Sequence, residues 1–221
     1  MFLLVAFAFC ITFVATSCVG NATHESHVMT DYEAIQNLVV AERIYRASHR
    51  NVELSRCYSE DVRIHTSWQS GGRDSFVGRA PAEAQAAPVV NRCNPPLIHQ
   101  KGDRALVEYP MTTVRVVNVN GEEALLTSHM LLIYRVEKRN GEWKIVDLFT
   151  INENDSLAPS IPGTDLKINP DDVRNLRKSY RWLSYTRRLA GGSISQDLVG
   201  TDRPDDVKKI YDEGFKWLNG N

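Results

Sequence analysis

The chain has 221 residues, 43% of them hydrophobic and 24% charged, with 27 Asp and Glu against 26 Lys and Arg. A net charge of −1 gives no global electrostatic case for nucleic acid or an anionic surface as partner. No apolar span of about 20 residues follows the N-terminus, which excludes a polytopic membrane protein.

Residues 2–15, FLLVAFAFCITFVA, form an apolar block followed by the small residues Ala15, Ser17, Gly20 and Ala22. This pattern predicts a signal peptide over 1–22 and a secreted chain with no integral membrane domain after its removal. The first basic residue is Arg43, so the usual positive leader is missing. Ala15-Thr16-Ser17-Cys18 loosely matches a lipobox, and an uncleaved anchor or a lipidated Cys18 are the alternatives. Export would permit a disulfide between Cys57 and Cys93, worth about 2–4 kcal/mol; two free buried thiols are the other reading. Asn21-Ala22-Thr23 and Asn154-Asp155-Ser156 are glycosylation sequons, which makes Asn154 the acceptor that would survive leader removal.

Thr30 and Glu33 have capping-box spacing, and Ile35, Leu38, Val39 and Glu42 or Tyr45 follow at helical intervals. A short helix over 51–58 precedes an alternating strand, VRIHTSW, with Val62, Ile64, Thr66 and Trp68 on one face and Arg63, His65 and Ser67 on the other. Gly71-Gly72-Arg73-Asp74 turns the chain. The Ala-rich stretch 80–90 predicts a further short helix, interrupted by Pro81 and Pro88. Strands are then predicted over 98–100 and 104–119.

The segment 125–151 is the strongest local signal. Two alternating runs flank Asn140-Gly141, and Asn-Gly suits a two-residue type I′ turn because both central positions need positive φ. A tight hairpin there sets Glu137 opposite Lys144, Tyr134 opposite Asp147, Leu132 opposite Phe149 and Met130 opposite Ile151. A second Asn-Gly, at 120–121, sets Tyr109 opposite Leu132, Met111 opposite Met130 and Val107 opposite Tyr134. Together these registers put Tyr109, Met111, Met130, Tyr134, Asp147 and Phe149 on one shared interior face. After Asn154 a Pro- and Gly-bearing connector is predicted, then helices beginning at Pro170 and at Pro204.

Ala34-Ile35-Gln36-Asn37-Leu38, Tyr58-Ser59-Glu60-Asp61-Val62, Gly71-Gly72-Arg73-Asp74 and Tyr134-Arg135-Val136-Glu137 through Ile145 occur in an order that resembles the NTF2-like superfamily, in its SnoaL-like branch. The tail from Ser179 to Leu218 resembles a C-terminal helical extension found in that group. The resemblance implies an α+β cone: a curved antiparallel β-sheet wrapped on N-terminal helices, with a cavity between them, plus C-terminal helices. It divides the chain into a domain over 30–158 and a connector with helical extension over 159–221. It also implies a small, mostly apolar molecule in the cavity, either as a ligand or as the substrate of a cofactor-free lyase or isomerase. A non-catalytic binder or dimerisation module is the alternative, with the outer-face residues Leu131, Ile133 and Leu148 either forming a homodimer surface or covered by the C-terminal helices.

Within that frame Asp147 is the candidate general base, since a carboxyl desolvated among Phe149, Leu132 and Ile145 would be raised toward a useful value. Tyr134 and Tyr109 are its candidate hydrogen-bond donors. His65 is a further catalytic candidate, and Met111, Met130, Phe149 and Trp68 are candidate ligand contacts. No His-x-His, His-Glu-x-x-His, Cys-x-x-Cys or phosphate-loop pattern is present, so no metal or cofactor is implied. Arg174, Arg177, Lys178, Arg181, Arg187 and Arg188 form a basic run, read as a salt-bridged face because Asp171, Asp172, Asp202, Asp205 and Asp206 are near in sequence.

Overall fold

A computed structural model describes residues 28–67, 69–78 and 89–220. The expected leader, with Cys10, Cys18 and Asn21, lies outside the described residues. So do Trp68 and all but the end of the Ala-rich stretch.

Helix α1 spans Asp31–Ala47, with both halves of the Thr30/Glu33 capping box formed. Its buried stripe is Ile35, Val39, Glu42 and Arg43. Helix α2, Asn51–Cys57, buries Leu54 and Cys57 and runs directly into strand β1, Tyr58–His65. The two-residue strand β2, Ser70–Gly71, and helix α3, Arg73–Val77, follow. Then come β3, Val89–Cys93; β4, Leu97–Lys101; β5, Arg104–Val119; β6, Glu122–Arg139; and β7, Glu142–Pro159.

Among the described residues these make one seven-stranded sheet in the order β2-β1-β7-β6-β5-β3, with β4 also on the free edge of β5. The β5–β6–β7 meander is antiparallel, whereas β1 joins β7 in parallel. Both hairpin turns have the expected backbone: φ is 52° at Asn120 and 95° at Gly121, and 53° at Asn140 and 83° at Gly141.

The 120–121 turn gives the register read from the sequence, with Tyr109 opposite Leu132, Met111 opposite Met130 and Val107 opposite Tyr134. The 140–141 turn keeps it only briefly. Glu137 faces Lys144 and Val136 faces Ile145, but Arg135 then faces Asp147, so Val146 is the extra residue of a bulge. Beyond it Tyr134 faces Leu148, Leu132 faces Thr150 and Met130 faces Asn152. A one-residue slip moves the side chains that follow to the other side of the sheet, until a second extra residue, Glu153, between the pairs Met130/Asn152 and His129/Asn154, restores the original alternation. Asp147, Phe149 and Ile151 therefore leave the interior face to which strict alternation assigned them.

Strand β7 also runs on to Pro159, through the first part of the predicted connector, because β6 residues from Ala124 to His129 supply a ladder for it. Pairing partners override the poor strand propensity of Asn-Asp-Ser. The helix expected from Pro170 is broken into α4, Pro170–Val173, a 3-10 turn at Lys178–Tyr180, and α5, Arg181–Leu189. Helix α6, Pro204–Leu218, forms as patterned.

Three apolar clusters fix the layers. Helices α1, α2 and α3 cover the inner face of the sheet at its Asn140 end, packing Ile35, Val39, Leu54 and Phe76 against Val107, Tyr109, Leu132 and Tyr134. The α4–α5 segment covers the same face at the Asn120 end, with Tyr185, Val173 and Leu166 against Val119 and Ala124. Helix α6 covers the outer face, packing Ile210 and Leu218 on Leu106, Ile133 and Ile151. Gly214 allows that approach: a Cβ there would lie 3.0 Å from Leu106 Cδ1. Leu131 and Ile133, read from sequence as part of an outer dimer surface, lie in the α6 cluster, and Leu148 packs in the inner one.

Candidate functional site on the inner face of the sheet

The expected acid–tyrosine pair is not assembled. Asp147 is 2% exposed on the outer face. Its Oδ1 and Oδ2 accept from Arg63 Nε and Nη2, each at 2.8 Å, and Oδ2 also accepts from Arg135 Nη1 at 3.0 Å. The parallel pairing of β1 with β7 brings Arg63 beside it, and the bulge turns it toward Arg135. The carboxylate is thus paired with two guanidinium groups on the outer face, away from Tyr134 and Tyr109, and the premise for a base at this position is not met.

Phe149 and His65 share that outer face. Their rings stack at 4.9 Å and 10°, and the Arg135 guanidinium lies 5.4 Å from the Phe149 centroid. Cys57 and Cys93 are free thiols, so the expected disulfide is not formed. Burial pushes Cys57 up to about 12, where thiolate chemistry is suppressed at neutral pH. Asn154 is exposed on β7.

Tyr134, Tyr109, Met111 and Met130 do face inward, and what they meet is a different acid. Glu42 of α1 is fully buried. Its Oε1 accepts from the Tyr58 hydroxyl and Arg43 Nη2, and its Oε2 accepts from Arg43 Nε and from the Tyr134 hydroxyl at 2.9 Å. Burial pulls the Arg43 guanidinium down, but Glu42, by its charge and its hydrogen bonds, together with Tyr134 and Tyr58, outweighs this and holds it well above its usual value. Burial raises both phenols well above the ordinary tyrosine value. Arg46, one turn on, lies 3.6 Å over the Phe76 ring and donates to the Phe76 carbonyl at 2.9 Å. It is held down to about 10, first by burial and then by Arg43.

This knot is closed. Every oxygen of Glu42 is engaged, so it anchors α1 to the sheet rather than offering a reactive group. The signal for it was present in the sequence: Glu42 falls at i+7 from Ile35 on the buried stripe, where a charged residue needs a partner.

Between the two helical covers, the inner face carries a transverse polar row. Asn91 pairs with Thr113, Thr113 with Ser128, and Ser128 with Asp155, across β3, β5, β6 and β7. Directly opposed residues project from the same side of a sheet, and Thr113 and Ser128 are each 7% exposed. The adjacent row is Cys93, Met111, Met130 and Asn152, with Tyr109 next along β5. Burial raises the Tyr109 phenol, and the neighbouring Cys93 adds to this.

Asp155 Oδ2 accepts from the Leu183 amide at 2.7 Å near the N-terminus of α5, while its Oδ1 is buried without a hydrogen-bond partner. Asn91 Oδ1 is in the same condition. Burial raises the Asp155 carboxyl above its usual value, against the pull of the α5 amides. The row was not legible from sequence, because residues 80–90 read as helix and Asp155 as connector. Among the described residues, no group of three or more His, Cys, Asp or Glu is placed to hold a metal ion.

Residues 27–148 match the family described as the SnoaL-like domain. The chain is 21% identical over 187 residues to Pea pathogenicity protein 2 of Fusarium vanettenii, covering 80% of each chain. Among solved structures it is similar to a type 2 hexachlorocyclohexane dehydrochlorinase, LinA, with a TM-score of 0.48 and 13% identity over 62% of this chain and 95% of that one. It is also similar to an NTF2-like protein with a cystatin-like fold from Novosphingobium aromaticivorans, with a TM-score of 0.43 and 17% identity over 54% of this chain and 80% of that one.

Proposed function

Because the chain belongs to the SnoaL-like domain family, we propose that it binds a small, mostly apolar molecule on the inner face of its sheet, between the N-terminal helices and α5. The observation that carries this reading is the row Asn91, Thr113, Ser128 and Asp155, in which two buried oxygens lack partners. Leaving a buried acceptor unpaired costs about 1–3 kcal/mol. A ligand donating one or two hydrogen bonds recovers that cost, and Met111 and Met130 supply an adaptable apolar wall. Binding is the reading carried forward in place of proton abstraction by Asp147, whose oxygens face Arg63 and Arg135. Export fits the apolar block at 2–15, and N-terminal sequencing of secreted protein beginning near residue 22 would support it.

The test uses the neutral fluorescent probe N-phenyl-1-naphthylamine. It should bind the full chain saturably, and Ser128→Leu, which fills the row, should weaken it by roughly tenfold. Thr113→Val, nearly isosteric, serves as the variant that removes polarity without filling space. No saturable uptake, or equal uptake by wild type and Ser128→Leu with both folded by circular dichroism, would sink the reading.

A further inference from the structure

A pocket of about 470 Å³ opens between α5 and the Asn120 end of β5 and β6. Arg115 enters it from the sheet and Arg187 from the helix, with Thr186 beside them and Leu126, Leu183 and Leu189 as apolar walls. The volume falls in the range of small-molecule sites, about 300–1,000 Å³.

Other arginines of the extension have acidic partners. Arg174 pairs with Asp171, Arg177 with Asp202 and Arg188 with Asp172. Arg115 and Arg187 have neither an acidic partner nor a side-chain hydrogen bond among the described residues, and their like charges repel. Burial first, and then Arg187, pull the Arg115 guanidinium below its usual value, yet an arginine remains charged at neutral pH. The arrangement is held from behind: Gly192 N donates to the Arg187 carbonyl at 2.9 Å, and a Cβ at Gly192 would collide with the Arg187 side chain.

A half-buried guanidinium facing a second cation across a pocket is an unfavourable arrangement that a bound anion would relieve. Guanidinium groups offer planar N–H pairs that fit carboxylate or phosphate oxygens. We infer that this pocket binds an amphiphilic anion, its carboxylate or phosphate head between Arg115 and Arg187 and its short apolar body against Leu126 and Leu183. The site neighbours the polar row: Arg115 and Leu126 form the next same-face pair after Thr113 and Ser128 on the same two strands, but its charged groups are not those of the row.

The experiment is calorimetric titration of the full chain with octanoate and with octyl phosphate, with 1-octanol as the neutral control. At least one anion should bind saturably at one site, and the tighter of the two identifies the head group. Arg115→Gln and Arg187→Gln should each weaken it by roughly tenfold or more. Arg187 is exposed, so its substitution leaves the fold intact; Arg115→Lys keeps the charge while removing the fork and should fall between wild type and Arg115→Gln. Arg187→Gln should leave uptake of the neutral probe unchanged, so the failure of that reading and the failure of this one can be told apart. Absence of binding by both anions, wild-type affinity in both glutamine variants, or octanol binding as tightly as the tighter anion would overturn the inference.

Discussion

Arg135 and Asp147 stand opposite each other on neighbouring strands, with Arg135 Nη1 donating to Asp147 Oδ2 at 3.0 Å on the outer face of the sheet. The pair is buried, at 8% and 2% side-chain exposure, and Arg63 closes the other side of the carboxylate from β1. One acid thus ties three strands together beneath α6.

Removing that acid strands a buried cation. Asp147→Ala leaves Arg135, whose Nε already lacks a partner, without its carboxylate. A loss of about 3 kcal/mol is expected from breaking a buried pair on one side. Urea denaturation measures it, and binding of the neutral probe by the folded variant should be unaltered. A change within about 0.5 kcal/mol would show that solvent replaces the pair without cost.

Glu42 should matter in the same way from the inner side. Glu42→Gln removes the charge that offsets Arg43 and should cost about 3 kcal/mol. Tyr134→Phe removes one of its donors and leaves Tyr58 and Arg43 in place, so a smaller loss of about 1.5 kcal/mol is expected. The order of the two unfolding midpoints is the check. Tyr134→Phe proving the costlier change would mean that the phenol packs a cavity whose filling outweighs the ion pair.

Asp155 gives a pH dependence with a definite sign. Its folded-state value lies above the usual 3.8, so the folded protein holds its proton more tightly than the unfolded chain does. The associated stability is complete below the unfolded value and is lost as pH rises through the folded value. Asp155→Asn stays neutral and can still accept from the Leu183 amide, as asparagine caps helices well. The variant should therefore gain on wild type as pH climbs from about 3 to 7, with the two converging at the acid end. A stability difference that does not change with pH, or one favouring wild type at neutrality, would contradict the direction of the shift.

The hairpins were readable because their causes are local. Asn120-Gly121 and Asn140-Gly141 adopt the positive φ angles that their residue types favour, and period-two alternation then fixes register for as long as the ladder is regular. Thr30 and Glu33 likewise cap α1 within four residues of chain. The inward placement of Tyr109, Met111, Met130 and Tyr134 followed from these signals alone.

What failed was whatever depended on a partner distant in sequence. The extra residue at Val146 turns Asp147 outward, where Arg63, 84 positions away, receives it. Strand β3 forms on the edge of β5 even though the preceding Ala-rich stretch carries a helical pattern, and it brings Asn91 to one end of a row that closes at Asp155. Arg115 and Arg187 belong to elements far apart in the chain and meet in one pocket only when α5 packs on the sheet. The sequence by itself determined the turns, the first helix, the last helix and the meander, since each rests on neighbouring residues and backbone preference. Tertiary structure decided which carboxylate is neutralised and which groups face inward, because a bulge, a parallel strand pairing and a helix docking are set by the balance of long-range burial and charge.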